Sequence, residues 1–110
     1  MRSLVLDELM RADVRKLAEH LGQSLTPSAM EGVYWMELPP DLLTGEQLEH
    51  KQCGPHRVAL VLEEESLRLE LLVRAQDSLR CSCTAYATPA QRAFLIGYMD
   101  RLIEELGIRT

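Results

Sequence analysis

All three cysteines of this 110-residue chain, and two of its three histidines, fall into two short stretches: His50, Cys53 and His56, then Cys81 and Cys83. Thiolate sulfur and imidazole nitrogen are the ligands that zinc prefers, four of them in a tetrahedron. Cysteines in an intracellular protein more often hold metal or react than form disulfides. Cys53, His56, Cys81 and Cys83 are therefore the candidate set for a metal or thiol site. Cys53 gains reactivity if His50 or His56 is protonated beside it, because a cation favours the thiolate. The spacing His-x2-Cys-x2-His followed by Cys-x-Cys fits no established zinc pattern.

Other motifs carry less. Cys53-Gly54-Pro55-His56 compares with the thioredoxin active-site stretch with His56 in place of its last cysteine. That motif follows a strand and opens a helix, whereas here it precedes a strand. Arg11-x3-Arg15 fits one part of the PilZ signature, but the companion Asp-x-Ser-x-x-Gly is absent. No glycine-rich phosphate loop, nucleophile elbow or His-Glu-x-x-His occurs, so no catalytic residue and no cofactor is assigned.

The elements that must position these side chains follow from periodicity. Leu6, Leu9, Met10, Val14, Leu17 and Leu21 recur at helical spacing, which predicts a helix over residues 4–21 stopped by Gly22. Residues 33–38 have strand character, ended by Pro39-Pro40. Thr44 with Gln47 three places on predicts a short capped helix through about Lys51. Three strands follow at 57–62, 67–75 and 79–86 as a meander. Pairing Leu62 with Leu67 puts Leu60 opposite Leu69 and Val58 opposite Leu71, giving one wholly apolar face; a one-residue slip would lose it.

A three-residue turn, Gln76-Asp77-Ser78, would then set Val73 against Cys81 and Leu71 against Cys83. Arg80, Ser82 and Thr84 would face solvent. In that register both cysteines belong to the core, where a free cysteine acts as a small hydrophobe, and His56 lies two strands from Cys81 with Val73 between. Core packing is thus the reading that the register favours over a metal.

Thr88-Pro89-Ala90-Gln91 starts the last helix with an N-cap, a first-position proline and a capping box, and Gly107 ends it. The expected architecture is α+β in two layers: an antiparallel sheet of about four strands, with the meander at 57–86, packed on N- and C-terminal helices. The order is helix, strand, short helix, three strands, helix, in a single domain over residues 1–110.

Composition narrows the role. Hydrophobic residues make up 46% and charged residues 26%, as in ordinary globular chains, and the net charge is −5. Residues 26–55 set five carboxylates (Glu31, Glu37, Asp41, Glu46, Glu49) against Lys51 alone. A nucleic-acid backbone and an anionic membrane both require a basic face, so neither is an expected partner. No apolar run approaches the ~20 residues of a membrane span, and Asp7 and Glu8 interrupt any signal core, so the expected location is cytoplasmic.

The outer face of the sheet interrupts its charges with Val33, Trp35, Ala59, Val61, Leu72 and Tyr86. An uncovered patch holding the single tryptophan suits a protein partner or a second copy of the chain. A small acidic domain with a sheet between terminal helices resembles bacterial secretion chaperones in layout, which would imply an adaptor-like role. The expectation is a non-enzymatic binding or regulatory module, a homodimer through that face. The alternative is a metal- or thiol-site protein.

Overall fold

The computed structural model describes residues 1–76 and 81–110. Strand β1 (Ser3–Leu6) precedes helix α1 (Arg11–Ser24), a two-residue strand β2 (Thr26–Pro27) and β3 (Val33–Glu37). Short helix α2 (Gly45–Glu49) lies between single 3-10 turns at Pro40–Leu42 and Lys51–Cys53. Then come β4 (His56–Leu62), β5 (Leu67–Glu70), β6 (Leu72–Ala75), β7 (Ala85–Tyr86) and α3 (Pro89–Leu106). All pairings are antiparallel, in the order β1-β5-β4-β3-β2, with β6 against the far end of β4 and β7 against β6. This is the expected α+β class, with helices before and after an antiparallel sheet.

The first hairpin has the register its leucines require: Leu62 faces Leu67 and Leu60 faces Leu69. β3 pairs the other side of β4, Met36 opposite Val58. Val58, Leu60, Leu67 and Leu69 are wholly buried and join Leu17, Leu21, Leu95 and Met99 of the helices in the core.

Three expectations are corrected. The chain does not start as a helix at residue 4. Leu4 and Leu6 alternate as a strand and face Leu69 and Leu67, extending the apolar side of the sheet. Glu8, at φ 53°, then turns the chain into α1, and Gly22 does not stop that helix, which continues to Ser24. Leu6 fits either period, continuing the helical stripe of Met10, Val14 and Leu17 or alternating with Leu4 as a strand; pairing with β5 decides between them.

Secondly, Val58 does not pair with Leu71. Extending the hairpin would set Arg57 opposite Leu72, yet it faces Arg74, and His56 faces Ala75. The 67–75 segment breaks at Leu71, whose N–H donates to the Arg2 carbonyl and whose carbonyl accepts from Ala87. Two extra residues are absorbed there.

Thirdly, 79–86 is not one strand. β7 holds only Ala85 and Tyr86, with Val73 facing Ala85 and Leu72 facing Tyr86. Cys81–Cys83 form a turn, so neither cysteine faces Leu71 or Val73 across a ladder. The expected turn residues Asp77 and Ser78, with Leu79 and Arg80, lie outside the described residues.

Both capping boxes form. Gln47 N–H donates to Thr44 Oγ1 (3.1 Å) while Thr44 N–H donates to Gln47 Oε1 (3.0 Å). Thr88 and Gln91 repeat the geometry at 3.1 and 3.0 Å. Gly107 ends α3 in the left-handed region (φ 63°), with Ile108 N–H returning to the Ile103 carbonyl. Among the described residues, no helix is long and apolar enough to cross a membrane.

Candidate metal centre

Two local turns each deliver a pair of ligands. α2 is released at His50, and the next turn is 3-10, with Cys53 N–H donating to the His50 carbonyl (2.9 Å) and Gly54 N–H to that of Lys51 (3.1 Å). Residues three apart eclipse in such a turn. The His50 imidazole and the Cys53 thiol therefore share one side, Nδ1 4.0 Å from Sγ.

The second pair sits on a β-turn closed by Thr84 N–H donating to the Cys81 carbonyl (3.0 Å). Cys83 N–H points back at Cys81 Sγ (3.5 Å), and the Cys83 thiol lies 3.0 Å from that sulfur.

The ladder between β4 and β6 joins the two turns. β4 begins three residues after Cys53, and its first residue, His56, pairs with Ala75, the last of β6. Gln76 N–H donates to the Pro55 carbonyl and Ala75 N–H to Thr84 Oγ1 (2.9 Å), which ties the second turn to the same strand end. Cys81 Sγ consequently lies 3.7 Å from Cys53 Sγ and 3.1 Å from His50 Nδ1. The ligand atoms of His50, Cys53, Cys81 and Cys83 all fall within 4.8 Å of one another. Cys83 is buried; the other three are half-buried.

These separations match a small tetrahedron. Zinc–sulfur and zinc–nitrogen bonds of about 2.3 and 2.0 Å imply sulfur–sulfur edges of about 3.8 Å and sulfur–nitrogen edges of about 3.5 Å. Shifts of about an ångström at the worst pair would convert the present arrangement into that one.

The thiols are electrostatically unequal. Cys81 is held down to about 7 by hydrogen bonds from the Cys83 thiol and backbone N–H, with smaller help from Cys53 and His50. Burial, then the neighbouring Cys81, pushes Cys83 up to about 12. Cys81 is thus the thiol of the pair that ionises more readily and Cys83 its hydrogen-bond donor, which favours the thiolate form that a metal ligand needs at Cys81.

A polar layer supports the cluster from beneath. Gln47 Nε2 donates to the Cys83 carbonyl (3.4 Å), and Gln47 Oε1 accepts from Gln91 Nε2 (3.0 Å), which also donates to the Leu42 carbonyl (2.9 Å). Both glutamines are buried. Each cap glutamine therefore does two jobs, closing its own helix and joining this layer, with Gln47 bonded to the thiol turn and Gln91 bonded to Gln47.

Of the expected set, Cys53, Cys81 and Cys83 come together, with His50 in the place foreseen for His56. His56 is buried on β4, and its Nε2 has no hydrogen-bond partner among the described residues. Burial first, and then His50, lowers its pKa. The signal for His50 was present: a capped helix through Lys51 sets residues 50 and 53 one turn apart. Nothing in the sequence marks Gln47 and Gln91 as partners across 44 positions.

The six residues foreseen for an interface lie on one face. Val33 pairs with Val61, Trp35 with Ala59 and Leu72 with Tyr86, each pair on the side away from the leucine rows. Arg57 stacks on the Trp35 ring at 4.0 Å and Arg2 on Tyr86 at 4.4 Å. No protein-family model, curated protein or solved structure matches the chain.

Proposed function

We propose that this chain is a non-enzymatic binding module built around a structural zinc site, with His50, Cys53, Cys81 and Cys83 as its ligands. The convergence of those four ligand atoms within 4.8 Å carries the reading. Three sulfurs and one imidazole are the donor set of a closed zinc site, in which the metal cross-links chain segments and activates no water. Here it would clasp the turn after α2 to the turn before β7. Cys83 N–H on Cys81 Sγ and Gln47 on the Cys83 carbonyl supply the outer hydrogen bonds that orient such ligands.

The test is metal analysis of protein purified without a histidine tag. One zinc per chain is expected, reduced to background by Cys81→Ala. Sub-stoichiometric metal, with all three thiols open to a thiol reagent, would remove the assignment.

A second reading concerns what the module binds. Trp35 is half-exposed among Val33 and Val61 and stacked by Arg57, and tryptophan and arginine are the residue types that dominate contact energies at protein interfaces. This face is the one through which the chain would pair with a second copy. Trp35→Glu, followed by sedimentation, should shift the mass to monomer; an unchanged mass excludes that surface.

A further inference from the structure

The sulfurs brought together after α2 and before β7 are not placed alike. Cys81 Sγ is their point of convergence: the Cys53 thiol lies 3.7 Å from it, the Cys83 thiol 3.0 Å and the Cys83 N–H 3.5 Å. Access differs as well. Cys53 and Cys81 are half-buried, whereas Cys83 is 1% exposed. A thiol that solvent reaches, beside a second thiol able to resolve it, is the arrangement of an oxidisable pair. Cys53 and Cys81 meet both conditions. A bond between Cys81 and Cys83 would instead have to close within one β-turn, against the hydrogen bond from Thr84 N–H to the Cys81 carbonyl. Cys53 comes from a separate segment, 28 positions earlier, and that turn does not restrain its approach. Bringing the pair to the bonding distance of about 2.0 Å takes a closure of less than about 2 Å.

We infer that Cys53 and Cys81 are a peroxide-modified pair, so that the site alternates between a metal-bound form and a metal-free Cys53–Cys81 disulfide. This regulation rests on the zinc site proposed above. The Cys81 sulfur attacks one oxygen of the peroxide, the O–O bond breaks, and the departing hydroxide takes a proton from solvent to become water. The Cys53 sulfur then attacks the sulfenic acid left on Cys81. The S–S bond forms, the S–O bond breaks, and a second hydroxide leaves as water. The two sulfurs lose the electron pair that the peroxide gains. A disulfide sulfur no longer carries the charge that holds zinc, so only His50 and Cys83 remain as ligands and the ion departs. Cys53 and Cys81 sit on the same two turns that zinc would clasp, so the new bond keeps those turns together once the metal has gone. The chain gives up its metal without giving up its fold.

The experiment adds an equimolar amount of hydrogen peroxide to the full, zinc-loaded chain and follows released metal with a chromophoric indicator. Remaining thiols are then alkylated, and the link is located by fragmentation mass spectrometry. One zinc should leave for each disulfide formed, the link should join Cys53 to Cys81, and Cys83 should be alkylated. Dithiothreitol with added zinc should restore one zinc per chain. The oxidised chain should melt well above the reduced chain stripped of zinc and close to the zinc-loaded one. Zinc content before peroxide is added reports on the metal reading by itself: a chain that holds none removes that reading and the switch with it. Where zinc is bound at the outset, its retention while peroxide is consumed would overturn the switch alone. So would metal lost through a Cys81–Cys83 link or sulfinic acids, or an oxidised chain that melts as low as the stripped one.

Discussion

The two ends of β4 are held in different ways. At one end Leu60 and Leu62 face Leu69 and Leu67 in a dry leucine row that needs only burial and the right parity. At the other lie two buried glutamines, three thiols and an imidazole, held by hydrogen bonds between named partners. Apolar packing tolerates exchange of like for like, whereas a polar network fails when one member is lost. The leucine end would fold this domain; the polar end would give it a metal to bind.

The largest test of that contrast is the metal itself. If zinc is held at about a thousandfold above its dissociation constant, it adds about 4 kcal/mol of stability. For a domain of this size that corresponds to about 15 °C or more in melting temperature. Thermal melts with and without chelator should differ by that amount in the natural chain and coincide in Cys83→Ala. A chelator-insensitive natural chain would leave the leucine end as the whole of the fold's support.

Acidity should act on the polar end alone. At pH 7 zinc must displace the proton of Cys83, pushed up to about 12, and part of that of Cys81, held near 7. Protons compete with metal at each of the three thiols, Cys53 included, so affinity falls as pH falls, by more than about tenfold between pH 7 and 6. Competition with a chromophoric chelator measures the slope, and binding heats in buffers of different ionisation enthalpy count the released protons.

Leu60→Ala addresses the opposite end. It should cost about 3 kcal/mol in denaturant unfolding through the cavity it leaves, yet keep the zinc affinity of the natural chain. Gln91→Ala should cost less, about 2 kcal/mol, by leaving Gln47 and the Leu42 carbonyl short of a donor. It should also speed zinc loss to chelator, measured by stopped flow, whereas Leu60→Ala should not. Equal effects of both on zinc release would erase the distinction between the two ends.

What could be read from the residues follows the same division. The hairpin register, both capping boxes and the end of α3 are local or parity-driven, so Leu62 opposite Leu67 and Gln91 three places after Thr88 were sufficient to find them. The amino-terminal strand is hidden in the sequence because Leu6 also continues the helical stripe of α1; only β5 makes Leu4 and Leu6 a strand. The thiol site is obscured in the sequence for a similar reason. Continuous alternation through Cys81 and Cys83 implied a strand, and the break at Leu71 cannot be seen without the Arg2 and Ala87 backbone groups that stabilise it. Without that break His56 falls in the same cross-strand row as Cys81, held off by Val73 between them. With it, the chain arrives two residues further along and meets His50.

The two residues absorbed at Leu71 act much as a dislocation does in a crystal. An offset of two leaves the inward or outward sense of every later side chain intact while carrying the following strand about 6.6 Å along its neighbour. The distance between the ligand pairs is therefore set by backbone length between residues 69 and 74, and hardly by the side chains around the sulfurs. Removing one residue there would turn Val73 and Ala75 outward and unfold the sheet's end. Removing two would keep a sound sheet and a buried core, but the pair at 81 and 83 would be carried away from the pair at 50 and 53.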